Sequence, residues 1–427
     1  MSLPSSLTGW LGYIERQHPQ SIAMGLDRVN AVRDALLLKT GFPLITVAGT
    51  NGKGSACMML EAVLGCAGYR VGTYTSPHLL RYNERVRIGG AEVADDALVE
   101  AFAAVEQARA TTGVPLTYFE FGTLAAVWLF CREHVDAALL EVGLGGRLDA
   151  VNAFDADVSM LMSVGLDHMD YLGDTREAIG AEKAHVFRAG KTAVCADRDP
   201  PWTVAAHAAL IGAKLLQLGR DFDLQLQPLQ WSYRGPGGDR HGLPLPALRG
   251  DFQAANASAC IAALDALRER LPVTTGDIRN GLVRVENPGR FQLLPGRPAL
   301  ILDVAHNPQA AAALAGNLAK MTGYRDTLAV FSMLNDKDIG GVVRALRGHV
   351  DHWLIAPVEG ARATPLAELQ RQLRDAGVVV DITPCANIME AMDHAYRRAG
   401  VGDRILAFGS FLVVAAAMTA ARQRQFK

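Results

Sequence analysis

The β-type run Leu44-Ile45-Thr46-Val47-Ala48 ends in a glycine-rich loop, Gly49-Thr50-Asn51-Gly52-Lys53-Gly54-Ser55, and a helix-like run over 56–67 follows. A strand that feeds such a loop into a helix belongs to a parallel sheet, because the helix must cross back over the sheet face. The same rhythm continues along the chain. Apolar β-type runs stand at 45–48, 71–74, 137–142, 158–164 and 192–196, with helical patterns such as 95–111 and 122–134 between them. Strands without polar alternation are covered on both faces, so the expected fold class is α/β with a doubly wound parallel sheet. Ligand sites then gather at the carboxyl ends of the strands.

Residues 221–248 alternate polar and apolar side chains and are rich in Gly and Pro, which predicts a small antiparallel excursion. Helical patterns resume at 251–271 and 277–285. A break follows at Asn287-Pro288-Gly289 and Pro295-Gly296-Arg297-Pro298. The βα rhythm then restarts at 300–304, 327–331, 352–355, 378–382 and 404–408. The expected domains are a P-loop domain over 1–290 and a smaller Rossmann-like α/β domain over 297–427, with a frayed tail from 422. The uncharged stretch 405–421 is short for a membrane span and Gly409-Ser410 interrupts it, so it reads as a buried strand turning into a helix.

A chain of 427 residues, half of them hydrophobic, can bury substantial cores. Its net charge of −2 gives no support for a nucleic-acid or membrane-surface protein. Six cysteines without a C-x-x-C pair read as free thiols in a reducing compartment. Met1-Ser2-Leu3-Pro4-Ser5 lacks the basic start and apolar run of a secretory signal. A soluble, cytoplasmic protein is the expectation.

The loop is a phosphate cradle in outline. Backbone N–H groups and the helix N-terminus face an anion, and Lys53 reaches the outer phosphates. It departs from G-x-x-x-x-G-K-[ST] in two places: Val47 stands at the first glycine position, and Gly54 replaces the hydroxyl residue. The hydroxyl for Mg²⁺ is therefore Ser55, or the metal is held from other strand ends. Ser76 follows one strand, and Glu141 ends another that is otherwise apolar, where a lone carboxylate costs several kcal/mol. His168 follows a third, as a ligand or a structural histidine. Gly143-Leu144-Gly145-Gly146-Arg147-Leu148-Asp149 fails as a dinucleotide fingerprint, since Leu148 takes the third glycine position; it reads as a loop bringing Arg147 and Asp149 to substrate.

The segments GTNGKGS, YTSPHLLRYNERVRI (74–88), LEVGLGGRLDAVN (140–152), GLDHMDYLGDT (165–175), EKAHVFR (182–188), PGRFQ (288–292) and DVAHNP (303–308) occur in that order. Together they resemble the folylpolyglutamate synthase family, and the opening LGYIERQHPQSIAMGLDRV (11–29) is similar to its bacterial members that are also dihydrofolate synthases. The Mur cell-wall ligases are the wider relatives. They carry a UDP-sugar domain ahead of the nucleotide loop, for which the 48 residues preceding the loop here are too few.

The resemblance implies an ATP-dependent amide ligase working through an acyl phosphate, with L-glutamate as the incoming amine. It implies that Asn51, Gly52, Lys53, Gly54 and Ser55 hold phosphates, and that Asn256, Arg290 and Asp303 contact the nucleotide. Ser76, Glu141 and His168 would hold Mg²⁺, and Lys183 matches a lysine carbamylated in the superfamily to serve a second metal. Thr117, Tyr118, Phe119, Glu120, Leu148, Asp149 and Ala150 would receive the pterin, Phe119 offering a stacking face and Asp149 an acceptor. For Tyr118 and Phe119, ordinary core packing is the competing reading. His306 and Ser410 match positions that hold glutamate, which puts the amine donor at a domain cleft with ATP clamped from both sides. The expected partners are small molecules alone, namely ATP, L-glutamate, dihydropteroate and reduced folates, bound by a monomer without nucleic acid or membrane. Two other readings stand beside this one: a muramyl-peptide ligase, and a nucleotide-driven switch.

Overall fold

The computed structural model describes residues 3–20 and 22–425. The chain divides into two compact units, Met1–Ala247 with Ala254–Val285, and Leu248–Gln253 with Glu286–Lys427.

The first unit is built on eight strands: β1 Leu44–Ala48, β2 Val71–Tyr74, β3 Val86–Ile88, β4 Ala91–Glu92, β5 Ala137–Glu141, β6 Val158–Leu161, β7 Thr192–Cys195 and β8 Lys214–Gln217. Their order is β4-β3-β2-β5-β1-β6-β7-β8. From β2 to β8 every pairing is parallel, and all residues of β1 and β5 are buried, as continuous apolar runs require. The register sets Val47 opposite Glu141, so the glycine-rich loop and the Glu141 carboxylate leave the same sheet edge side by side.

Three differences from the sequence reading have local causes. The antiparallel edge strands β3 and β4 were not anticipated. Gly89 and Gly90 join them with φ of +61° and +80°, the left-handed pair a two-residue hairpin demands. Strand β6 stops at Leu161 rather than 164, because the next residues turn to the loop: Thr50 N–H donates to Ser163 O (2.8 Å) and Asn51 N–H to Ser163 Oγ (2.9 Å). The helix expected from 122 starts at Tyr118, where Thr117 and Glu120 form a reciprocal capping box. Tyr118, Phe119 and Glu120 thus lie on the first turn of the helix.

Strands β9 Asp223–Leu226, β10 Gln230–Arg234 and β11 Arg240–Pro244 form the expected antiparallel excursion, with Trp231 and Tyr233 buried beneath it.

The second unit holds β12 Gln292–Leu294, β13 Ala299–Asp303, β14 Thr327–Phe331, β15 His352–Ile355, β16 Asp381–Pro384 and β17 Arg404–Phe408. Their order is β12-β13-β17-β14-β15-β16, parallel except for the edge strand β12. The break read around 287–298 therefore contains a paired strand, and the main segment of the unit begins at Glu286. Strand β16 starts three residues later than expected. Gly377 turns at φ +86° and Val379 is 91% exposed, so pairing with β15 begins only at Asp381. Strand β17 does turn into a helix, Phe411–Gln425, which carries through residues expected to fray; Phe426 and Lys427 lie outside the described residues. Among the described residues no helix is long and apolar enough to cross a membrane. All six cysteines are unpaired thiols, four of them buried.

Candidate active site

The cradle is shaped by what its glycines avoid. Gly49 (φ +146°) and Gly52 (φ +90°) sit where a Cβ would stand 3.1 Å from Met162 and Ser163 backbone nitrogens and from Asn256 Oδ1, respectively. Lys53 is the first residue of the helix Lys53–Cys66, and its Nζ donates to Gly49 O (3.0 Å) and Thr50 O (3.3 Å). The loop is also pinned from the β6 side, where Thr50 Oγ1 exchanges hydrogen bonds with Gly165. A phosphate would meet a loop held in place on both flanks.

Glu141 is 3% exposed, and one of its oxygens accepts the Ser76 N–H at 3.0 Å. Ser76 and Glu141 are thus brought together. His168 takes φ +52°, a region non-glycine residues rarely enter, and strain of this kind clusters at functional sites. Its own N–H donates to Asp167 Oδ1 at 2.9 Å. Among the described residues no three His, Cys, Asp or Glu side chains are gathered into a metal cage. A hydroxyl, a carboxylate and an imidazole at the carboxyl-end side of one parallel sheet still fit Mg²⁺, which keeps several waters and takes phosphate oxygens from its nucleotide.

Lys183, on the helix Arg176–Ala184, is 5% exposed and its Nζ donates to Gly49 O at 3.3 Å. Gly49 O therefore accepts from both lysines. Burial, and then the neighbouring Lys53 charge, push the Lys183 amine down to about 7. The shift favours the unprotonated amine, the form able to attack CO₂.

A cavity of about 260 Å³ opens in the first unit. Ser76 and His168 line it, and so do Thr117, Phe119, Glu120, Leu148, Asp149 and Ala150. Tyr118 does not line it; its ring packs edge-on against Tyr82, as core packing would have it. Phe119 stands 5.8 Å from the Tyr74 ring, and a Cβ on Gly143 would lie 2.7 Å from it, so that glycine admits the aromatic wall. Thr117 and Glu120 are committed to the helix cap, and Glu120 also pairs with Arg28 at 2.7 Å. The Asp149 carboxylate accepts the N–H groups of Leu144 and Val151, both at 2.9 Å. Burial, partly offset by those bonds, raises it to about 6.

In the second unit Asp303 accepts the N–H groups of Phe291 (2.8 Å) and Ala305 (2.7 Å), and burial raises its carboxyl. The Arg290 guanidinium lies over the Phe411 ring. His306 Nδ1 donates to Val304 O at 2.8 Å, which fixes the ring's orientation. Ser410 is buried, and its Oγ accepts Val413 N–H at the start of the last helix.

Several contributors escaped the sequence reading. Ile22, Ala23 and Met24 line the cavity, held by Arg28, which donates to Ala23 O and to Glu120. Arg85 lines it too. No local pattern marks these positions, because only the folded first unit brings 22–28 to 117–120.

A family model of the Mur ligase middle domain matches residues 47–264, and one of the Mur ligase glutamate ligase domain matches 289–411. The dihydrofolate synthase/folylpolyglutamate synthase of Escherichia coli K12 is 43% identical over 415 residues, covering 97% of this chain and 95% of that one. The structure of E. coli FolC in complex with DHPP and ADP matches with a TM-score of 0.93 at 41% identity, over 100% of both chains. The Yersinia pestis bifunctional folylpolyglutamate synthase/dihydrofolate synthase complexed with AMPPNP and Mn ion matches at 0.90 and 43% identity, over 99% of both. With these matches running nearly end to end, the chain belongs to the bifunctional dihydrofolate synthase/folylpolyglutamate synthase family of the Mur ligase superfamily.

Proposed function

We propose that this ATP-dependent acid–amino-acid ligase joins L-glutamate to dihydropteroate and to the glutamate tail of reduced folates, in the cytoplasm, through an acyl phosphate. One observation carries the reading. The same cavity is lined by Ser76 and His168 beside the phosphate loop and by Phe119, Leu148 and Asp149 at its aromatic wall. A flat heterocycle against Phe119 can thus present its distal carboxylate toward the transferring phosphoryl group.

In the first step the substrate carboxylate oxygen attacks the γ-phosphorus of ATP and the bond to ADP breaks. Lys53 and the loop N–H groups neutralise the charge that develops on the phosphoryl oxygens, with Asn256 beside the loop and Arg290 and Asp303 as further nucleotide contacts. Ser76, Glu141 and His168 would hold Mg²⁺, which when bound screens the phosphates. Lys183, as a carbamate, would supply an added carboxylate. In the second step the glutamate amine attacks the acyl carbon, phosphate leaves and the amine loses its proton, with His306 and Ser410 orienting glutamate. A nucleotide-driven switch has no need of the aromatic-walled pocket. The test is to incubate the protein with ATP, Mg²⁺, L-glutamate and either dihydropteroate or tetrahydrofolate. Products heavier by one glutamyl unit are expected; ATP hydrolysis without them would refute the reading.

A further inference from the structure

The cavity wall carries a cation that, among the described residues, no carboxylate contacts directly. Arg85 lies half-buried in the cavity wall, over the faces of Tyr82 (5.4 Å) and Tyr118 (5.6 Å). Its Nε donates to His78 Nδ1 at 2.8 Å. An imidazole brings no negative charge in either protonation state, and among the described residues no carboxylate pairs with this guanidinium. Behind it the Tyr82 hydroxyl is buried without a hydrogen-bond partner among the described residues, and the buried Tyr74 hydroxyl is left to neutral Thr123 and to Arg85 itself, so the back wall brings no negative charge. With Nε engaged, the two terminal NH₂ groups form a planar fork of donors; the Tyr74 hydroxyl lies within its reach, but among the described residues no carboxylate does, so the charge of the fork is left for a ligand to meet.

Within the ligase reading above, on which this rests, a pterin presents complementary edges. Its 2-amino and N3–H donors suit Asp149, which lines the same cavity. Next to them the C4 oxygen and ring N5 form a forked acceptor pair. In a 7,8-dihydropterin N5 is an imine nitrogen with an in-plane lone pair. In a tetrahydropterin N5 carries a hydrogen and would meet the guanidinium donor against donor. We propose that Arg85 is a specificity-determining residue: its terminal NH₂ fork binds the C4 oxygen and N5 of the pteridine and so favours the 7,8-dihydro oxidation state in this cavity.

The experiment is an equilibrium titration of 7,8-dihydropteroate, its 5-deaza analogue and tetrahydropteroate against wild type, Arg85→Lys and Arg85→Met. Charge-assisted hydrogen bonds of this kind set the expected scale at about ten- to a hundredfold. Wild type should bind dihydropteroate more tightly than either comparator by that factor, and both variants should bring the three ligands to similar affinity. In turnover, the variants should raise KM for dihydropteroate far more than they lower kcat. Arg85→Lys keeps a cation above Tyr82 and Tyr118, and the 5-deaza comparison needs no variant, so poor folding of Arg85→Met leaves the test intact. Equal wild-type affinity for dihydropteroate and its 5-deaza analogue, or a full preference retained in Arg85→Lys, would overturn the assignment while leaving ligation in place. Failure of wild type to bind or ligate any of the three would overturn the ligase reading itself.

Discussion

At the strand ends of the first unit, side chains stand where packing alone would not put them, whereas those of the second unit each serve a local structural purpose. His168 is held at φ +52°, Lys183 is buried beside another lysine, and Glu141 closes an apolar strand. Asp303, by contrast, ties two backbone N–H groups, His306 Nδ1 donates to Val304 O, and Ser410 caps a helix. Groups of the first kind are costly to keep, and such groups cluster at functional sites. Groups of the second kind need experiments that separate a structural loss from a functional one. The proposed division, with phosphoryl transfer centred on the first unit's loop and glutamate handled by His306 and Ser410 of the second, is what the following variants probe.

The largest effect expected is that of Lys53→Ala. An ammonium on the transferring phosphoryl group is worth several kcal/mol in the transition state, so ligation of both pterin substrates should fall by about 10³-fold or more. Wild-type turnover in a folded Lys53→Ala protein would break the first half of the comparison. Glu141→Gln comes next. It should raise the Mg²⁺ concentration required and cut turnover well beyond any loss of free-ATP binding, and His168→Ala should act in the same direction; magnesium titrations unchanged in both would show that these are not the ligands. Lys183→Ala should lose most activity and regain part of it with added short carboxylic acids, which replace a carbamate but not an ammonium. No rescue at any acid concentration would argue for a plain buried amine.

Ser410→Ala should give the smallest change and the sharpest division. Loss of the cap costs about 1 kcal/mol of stability, read as a shift in denaturant midpoint. A glutamate-binding role adds a raised KM for glutamate at unchanged pterin affinity. A midpoint shift alone would return Ser410 to a purely structural part.

The parallel α/β core was legible because buried strands carry a continuous apolar signal, and β14, β15 and β17 fall where their runs do. Edge strands were not. Val86–Ile88 and Gln292–Leu294 are three residues each, and pairing rather than composition defines them. The loop, Ser76 and Glu141 could be read because each stands directly after or at the end of a strong strand. Of the two readings open for Tyr118, the structure shows the packing one: the T-x-x-E cap puts it one position from Phe119 on a helix, with its ring against Tyr82 rather than in the cavity lining. Arg85 and the 22–24 segment fall inside stretches that carry the resemblance, but their place in the cavity was not legible, since a wall assembled from distant segments leaves no spacing to find.

The division of labour is tested most directly by trapping the acyl phosphate with hydroxylamine in the absence of glutamate. Wild type and His306→Ala should yield similar amounts of pteroyl hydroxamate, Lys53→Ala should yield almost none, and His306→Ala should still fail to ligate glutamate efficiently. Hydroxamate lost from His306→Ala in step with its ligation would mean that His306 acts before glutamate arrives, and would contradict the account.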